Sequence, residues 1–108
     1  MNIQSALPDD RAEEASRLLK AIASPRRLMI TCRLAQGEET VGDLATSLGV
    51  RETVVSQHLA VLRRERLVST RREGQSVFYA LRSEAVREVI AALAAGGRCR
   101  GARVGQID

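Results

Sequence analysis

The sequence predicts a mostly α-helical chain with one small β-hairpin, in the order ααααββα. Three observations predict this class. Apolar residues recur at i, i+3, i+4 and i+7 in several separate stretches, the period of an amphipathic helix. Ser24-Pro25, Thr40 to Asp43 and Ser83 are helix-start signals that divide those stretches. One segment, 76–81, alternates at a period of two instead. A chain of 108 residues has room for one domain. Apolar residues make up 44% of it, yet only Phe78 and Tyr79 are aromatic. Its core is therefore built from Leu, Val, Ile and Ala, which suits packed helices.

The first helix is expected over about 10–22, where Ala15, Leu18, Leu19 and Ile22 form one apolar stripe. Ser24 caps a second helix that has Pro25 in its first turn, carries Leu28, Met29, Cys32 and Leu34, and stops near Gly37. Thr40-Val41-Gly42-Asp43 resembles a capping box with Asp in place of Glu. The helix it opens buries Val41, Leu44, Ala45 and Leu48 and ends at Gly49. A fourth helix spans about 52–64. Two short strands, about 67–71 and 76–81, come next, and Arg72-Glu73-Gly74-Gln75 makes the tip between them, with glycine where a positive φ is expected. Ser83 caps a last helix with Val86, Val89, Ile90 and Leu93 on one stripe. From Gly96 the chain turns Gly- and Arg-rich and reads as a flexible tail over 96–108.

The segment 41–60, VGDLATSLGVRETVVSQHLA, carries the most specific signal. Ala45 is small where two helices cross closely. Gly49, four residues on, takes the tight turn, and Val55, six further, packs the second helix back on the first. Leu44, Leu48 and Leu59 fill the space between. A small residue, a glycine and a branched apolar residue at this spacing mark a helix-turn-helix, here about 41–65. The hairpin beside it, about 67–81, is then a wing. Together they make a single winged helix-turn-helix domain.

The outward face of the fourth helix reads Thr53, Ser56, Gln57, Ala60 and Arg63 or Arg64, with Arg51 just before it. Gln pairs bidentately with adenine, Ser and Thr reach bases or phosphates, and small Ala60 allows close approach. Arg71, Arg72 and Gln75 at the hairpin tip place cations near phosphates or in the minor groove. His58 falls toward the buried flank of the same helix. It is the sole histidine, so a packing or phosphate-contacting role is expected rather than a metal ligand. Charge supports the same partner. There are 17 basic and 13 acidic residues, net +4, with Asp9, Asp10, Glu13 and Glu14 early and Arg63, Arg64, Arg66, Arg71 and Arg72 clustered later. A basic surface of this kind favours nucleic acid.

No apolar run approaches the length of a membrane span, and the acidic start MNIQSALPDDRAEE has no apolar signal core, so a cytoplasmic location away from membranes is expected. In such a reducing compartment a static structural disulfide is not expected for the two cysteines, Cys32 and Cys99. They do not form a C-x-x-C pair.

The segments LLKAIASPRRLMITCRL, LATSLGV and SQHLAVLRRERLVSTRREGQSVFYAL together resemble the ArsR-type winged-helix repressors over about residues 15–95. The resemblance implies a prokaryotic, cytoplasmic, dimeric repressor on a pseudo-palindromic double-stranded DNA operator, released by a chemical signal. It also assigns dimerisation to helices 10–22 and 83–95, whose apolar faces find limited core to cover in the short middle of the chain; the alternative is that both cap the chain's own core. Metal-responsive members carry a Cys-x-Cys-like segment at the third helix, where this chain has Glu39-Thr40-Val41-Gly42-Asp43. Other members place His and Asp ligands on the last helix, where this chain has Arg87, Glu88 and Ala91. No metal site and no cofactor are expected.

The cysteine placement is similar to the sulfide-responsive BigR- and SqrR-like subgroup, carried by SPRRLMITC and by the cysteine after the last helix. What it implies is redox sensing by Cys32 and Cys99, with a persulfide or polysulfide as inducer. One departure is Gly96-Gly97, which is expected to end the last helix before Cys99. Arg33 beside Cys32, and Arg98 and Arg100 beside Cys99, are expected to favour the reactive thiolates. The alternatives are a repressor that answers to a metal ion or metalloid, a small thiol enzyme and a sequence-blind architectural protein. An enzyme is not expected, because the one histidine that could serve as a base lies on the DNA helix.

Overall fold

The computed structural model describes the backbone of residues 7–99 and the side chains of residues 7–96. Among the described residues, five helices and one hairpin occur in the expected order. They are α1 (Asp9–Ile22), α2 (Pro25–Gln36), α3 (Val41–Leu48), α4 (Glu52–Arg64), β1 (Val68–Glu73), β2 (Ser76–Leu81) and α5 (Glu84–Cys99). Each expected cap is present. The Arg27 amide donates to Ser24 Oγ (3.3 Å), the Asp43 amide to Thr40 Oγ1 (3.1 Å) and the Val86 amide to Ser83 Oγ (3.1 Å). Each bond satisfies a donor that the first helical turn leaves without a partner.

The core is aliphatic. Ile30, Leu44, Val55, Leu59, Leu62 and Val86 are its most deeply buried apolar side chains. The one buried polar residue among those described, Thr31, is satisfied by donating to the Leu28 carbonyl (2.8 Å). α2 lies centrally and packs against α1, α3, α4, α5 and β2. This arrangement puts Ile30, Thr31 and Leu34 inward, so the stripe expected on α2 is displaced: Met29 is 52% exposed. The other stripes hold except at one residue each, Leu19 of α1 (51% exposed) and Leu93 of α5 (57% exposed).

β1 and β2 pair antiparallel, from Val68 opposite Leu81 to Glu73 opposite Ser76. Gly74 turns the tip at φ 63°. The hairpin is anchored at the middle of β2 by a two-way backbone bridge, in which the Glu39 amide donates to Tyr79 O (3.0 Å) and the Tyr79 amide to Glu39 O (2.8 Å). Gly96 and Gly97 do not end the last helix as expected. α5 runs through both to Cys99, because helix hydrogen bonding tolerates glycine at a cost of about 1 kcal/mol each. The remainder of the expected tail, 100–108, lies outside the described residues.

Candidate DNA interface and cysteine pair

The α3–α4 unit is fixed by packing on one side, which leaves the other free. Leu44 and Ala45 of α3 are buried against Val55, Leu59 and Leu62 of α4. Gly49 takes the left-handed turn between them at φ 69°, and the Val50 amide donates back to Ala45 O (3.1 Å). With Val55, Leu59 and Leu62 inward, Thr53, Ser56, Gln57, Ala60, Arg63 and Arg64 all face solvent. These positions repeat at three and four residues, so they form one stripe along the helix. Arg51, at the helix N-cap, is exposed beside it and makes no side-chain cap bond. Every polar group in this stripe is free to reach a base edge or phosphate.

His58 sits at the edge of the stripe, half-buried, and accepts a hydrogen bond through Nδ1 from Arg27 Nη1 (3.4 Å). A guanidinium has no acceptor, so this bond requires the tautomer in which Nδ1 carries no proton. Burial, then the charges of Arg27 and Arg26, hold its pKa below the usual histidine range. His58 is thus a packed connector between α4 and the start of α2. Arg27 was not legible as a site residue. It also donates through Nε to the Ala21 carbonyl, which joins α1, α2 and α4 at one guanidinium.

The wing divides its two arginines. Arg72 and Gln75 are exposed, and Arg72 has no ion-pair partner among the described residues. Arg71, expected to contact DNA, has its guanidinium occupied. Nε (2.7 Å) and Nη2 both donate to Glu38 Oε1, Nη1 donates to Glu73 Oε1 (3.1 Å), and the group lies 4.7 Å from the centre of the Phe78 ring. It sits mid-strand opposite Phe78, not at the tip. Those acids raise the pKa of Arg71, and the Arg71 hydrogen bond lowers that of Glu38.

Cys32 is half-buried on α2, with a free thiol. Arg33 does not activate it as expected. Its guanidinium turns to Glu39, with Nη2 2.6 Å from Oε2. Burial instead pushes the Cys32 thiol above its ordinary pKa. The side chain of Cys99, and hence its pairing with Cys32, lies outside the described residues. The backbone does place the two cysteines on α2 and α5, helices that pack together. Among the described residues, no cluster of three or more His, Cys, Asp or Glu is placed to hold a metal, and no helix is long and apolar enough to cross a membrane.

Comparison with known proteins decides the family. Residues 24–70 match the model for "Bacterial regulatory protein, arsR family". Over 85 residues the chain is 46% identical to the biofilm growth-associated repressor of Agrobacterium fabrum, covering 79% of this chain and 73% of that one. The chain belongs to the ArsR family. It is also 46% identical over 90 residues to the transcriptional activator HlyU of Vibrio cholerae, covering 83% and 82%. Among solved structures it is similar to the transcriptional repressor BigR of Xylella fastidiosa, with a TM-score of 0.80 at 33% identity over 95% of this chain and 99% of that one. This ArsR-family chain is therefore a DNA-binding transcriptional regulator of winged helix-turn-helix fold, not an enzyme.

Proposed function

We propose that this chain is a homodimeric repressor that binds a pseudo-palindromic operator through α4 and the wing. In this reading, modification of Cys32 and Cys99 by a persulfide or polysulfide releases it. The observation that carries the DNA half is the outward stripe of Thr53, Ser56, Gln57, Arg63 and Arg64 beside the free Arg72. A repressor is supported by the relatives named as such in Agrobacterium fabrum and Xylella fastidiosa. Dimerisation is supported by a similar protein from Mycobacterium bovis described as homodimeric, and by Leu19 on α1 and Leu93 on α5, which stay exposed in the single chain. Two copies joined by α1 and α5 present two α4 helices, and their spacing must match a turn of DNA.

The release step uses thiol exchange. The Cys32 thiolate attacks the inner sulfur of a persulfide R–S–SH, forming Cys32–S–S–R and expelling HS⁻. The Cys99 thiolate then displaces RS⁻, leaving a Cys32–Cys99 disulfide. In sum, two thiols and one persulfide give one disulfide, one free thiol RSH and one molecule of hydrogen sulfide, with the cysteines oxidised and the persulfide reduced. A tie between α2 and α5 would link the helix that leads into the helix-turn-helix to a dimerisation helix, and so alter the spacing of the two α4 helices. Because burial raises the Cys32 thiol, modification proceeds through a minority thiolate and speeds up as pH rises through neutrality.

The test is operator binding measured by fluorescence anisotropy, before and after glutathione persulfide, with an operator selected from random DNA. The wild type loses affinity on treatment, with the intact mass of a cross-linked protomer. Cys32→Ser and Cys99→Ser bind DNA but keep their affinity after treatment. Release of both single variants at the wild-type inducer concentration would show that sensing lies elsewhere.

A further inference from the structure

We infer that Glu38 and Arg71 form a latch that sets the position of the wing relative to α4, so that an acidic residue strengthens DNA binding. The inference rests on the reading of α4 and the wing as the DNA interface, and goes beyond it in assigning these two residues positioning roles.

The latch arises from strand register. Arg71 lies directly opposite Phe78, so the two side chains stand on one face of the hairpin. Thr70 and Tyr79 stand on the other face, where Tyr79 packs on the core. The Arg71 guanidinium therefore lies over the Phe78 ring on the outer face, 4.7 Å from its centre. Glu39 bridges to Tyr79 along the far edge of β2, and this places Glu38 on the flank of the hairpin that leads into α3. From there its carboxylate reaches to Arg71 on β1, accepting from Nε and Nη2. Glu73 takes Nη1. Three nitrogens of the guanidinium are thus bonded, and a ring covers one of its faces.

Two restraints then act on the wing. The backbone bridge at Tyr79 fixes the middle of β2. The latch fixes the next pair toward the tip through β1, and it connects to the loop that opens the helix-turn-helix. Two attachment points, one on each strand, resist rotation of the hairpin about the first. Arg72, on the opposite face from Arg71 by alternation, is left as the wing cation free for phosphate. In the cluster of Glu38, Arg71 and Glu73 the acids outnumber the base, so it has no attraction of its own for DNA.

This assignment makes a prediction of opposite sign to simple electrostatics. Removing an acid near a DNA interface ordinarily tightens binding. Here Glu38→Gln weakens operator binding by about two- to fivefold, the range of an exposed ion pair with good geometry. Arg71→Lys weakens it to a similar degree. A phosphate contact survives that exchange, but a forked, ring-stacked tie does not. The two effects are not additive in the double variant. Neither variant changes the dependence of affinity on salt, whereas Arg72→Ala lowers that slope by about one.

The experiment is anisotropy titration of wild type, Glu38→Gln, Arg71→Lys, the double variant and Arg72→Ala across a series of salt concentrations, with thermal melting to establish folding. Weaker binding by both single variants at wild-type slope, with a non-additive double, supports the latch. Equal or tighter binding by Glu38→Gln overturns it, as does wild-type affinity in Arg71→Lys, the result expected if Arg71 is a phosphate contact. A wild type that prefers no DNA sequence instead overturns the interface reading on which the latch rests.

Discussion

The helix-turn-helix contains the same turn twice, built from different residues. α3 ends with Gly49 at φ 69°, closed by Gly49 N to Thr46 O and Val50 N to Ala45 O. α4 ends with Arg66 at φ 63°, closed by Arg66 N to Arg63 O and Leu67 N to Leu62 O. Both are Schellman turns, with one left-handed residue and paired bonds to the last helical carbonyls. At the first turn glycine adopts the conformation freely. At the second an arginine adopts it at a cost. The second turn is held by its neighbours: Leu67 is buried, as is Leu62, and the Leu67 carbonyl accepts from the Arg82 amide (2.8 Å). Tertiary packing can thus impose a turn that the local residue disfavours.

The contrast can be broken most severely at its packing. Leu62→Ala removes a fully buried side chain that anchors the second turn against Leu67. Its expected cost is about 2–5 kcal/mol by chemical denaturation. Gly49→Ala costs about 1–2 kcal/mol. No heavy atom lies within 4 Å of the added Cβ, so that cost is purely conformational. Arg66→Gly moves the other way and stabilises by about 0.5–1 kcal/mol, because it relieves the left-handed strain but loosens the unfolded chain. A loss of stability in Arg66→Gly would mean that the arginine side chain contributes more than its backbone costs.

The smallest effect is pH dependence at His58, whose folded pKa is lowered. The folded state favours the neutral ring, so this contribution is present above about pH 6.5, the unfolded value, and is lost as pH falls through the lowered folded value. Thermal melts from neutral to mildly acid pH will fall less steeply for His58→Gln, which keeps an acceptor near Arg27 but does not titrate there.

The two turns also show what a sequence exposes. Gly49 was legible because it stands at a fixed distance from Ala45 and Val55, and the capped starts at Ser24, Thr40 and Ser83 were legible because capping is local chemistry. Arg66 was not, since nothing in an arginine signals a left-handed conformation. The outward residues of α4 emerged from helix period once its buried face was known. The ion pair of Arg71 left no trace because its partner, Glu38, lies 33 residues away, and no spacing rule connects them. Arg33 was misread for a similar reason. Sequence proximity to Cys32 suggested activation, but a side chain of that length reached Glu39 instead. Apolar packing leaves a periodic trace in the sequence, whereas charge pairing between elements leaves none.

The claim that α4 reads DNA is tested most directly by Gln57→Ala, measured for affinity across every single-base variant of the selected operator at fixed salt. Gln57 is exposed on the stripe and makes no hydrogen bond with the described residues that would compete for its amide. The account predicts a loss of about 1–3 kcal/mol on the selected sequence and relaxed preference at one base pair of each half-site, with other positions unchanged. A variant that keeps the wild-type preference at every position would contradict it and remove α4 from the base-reading surface.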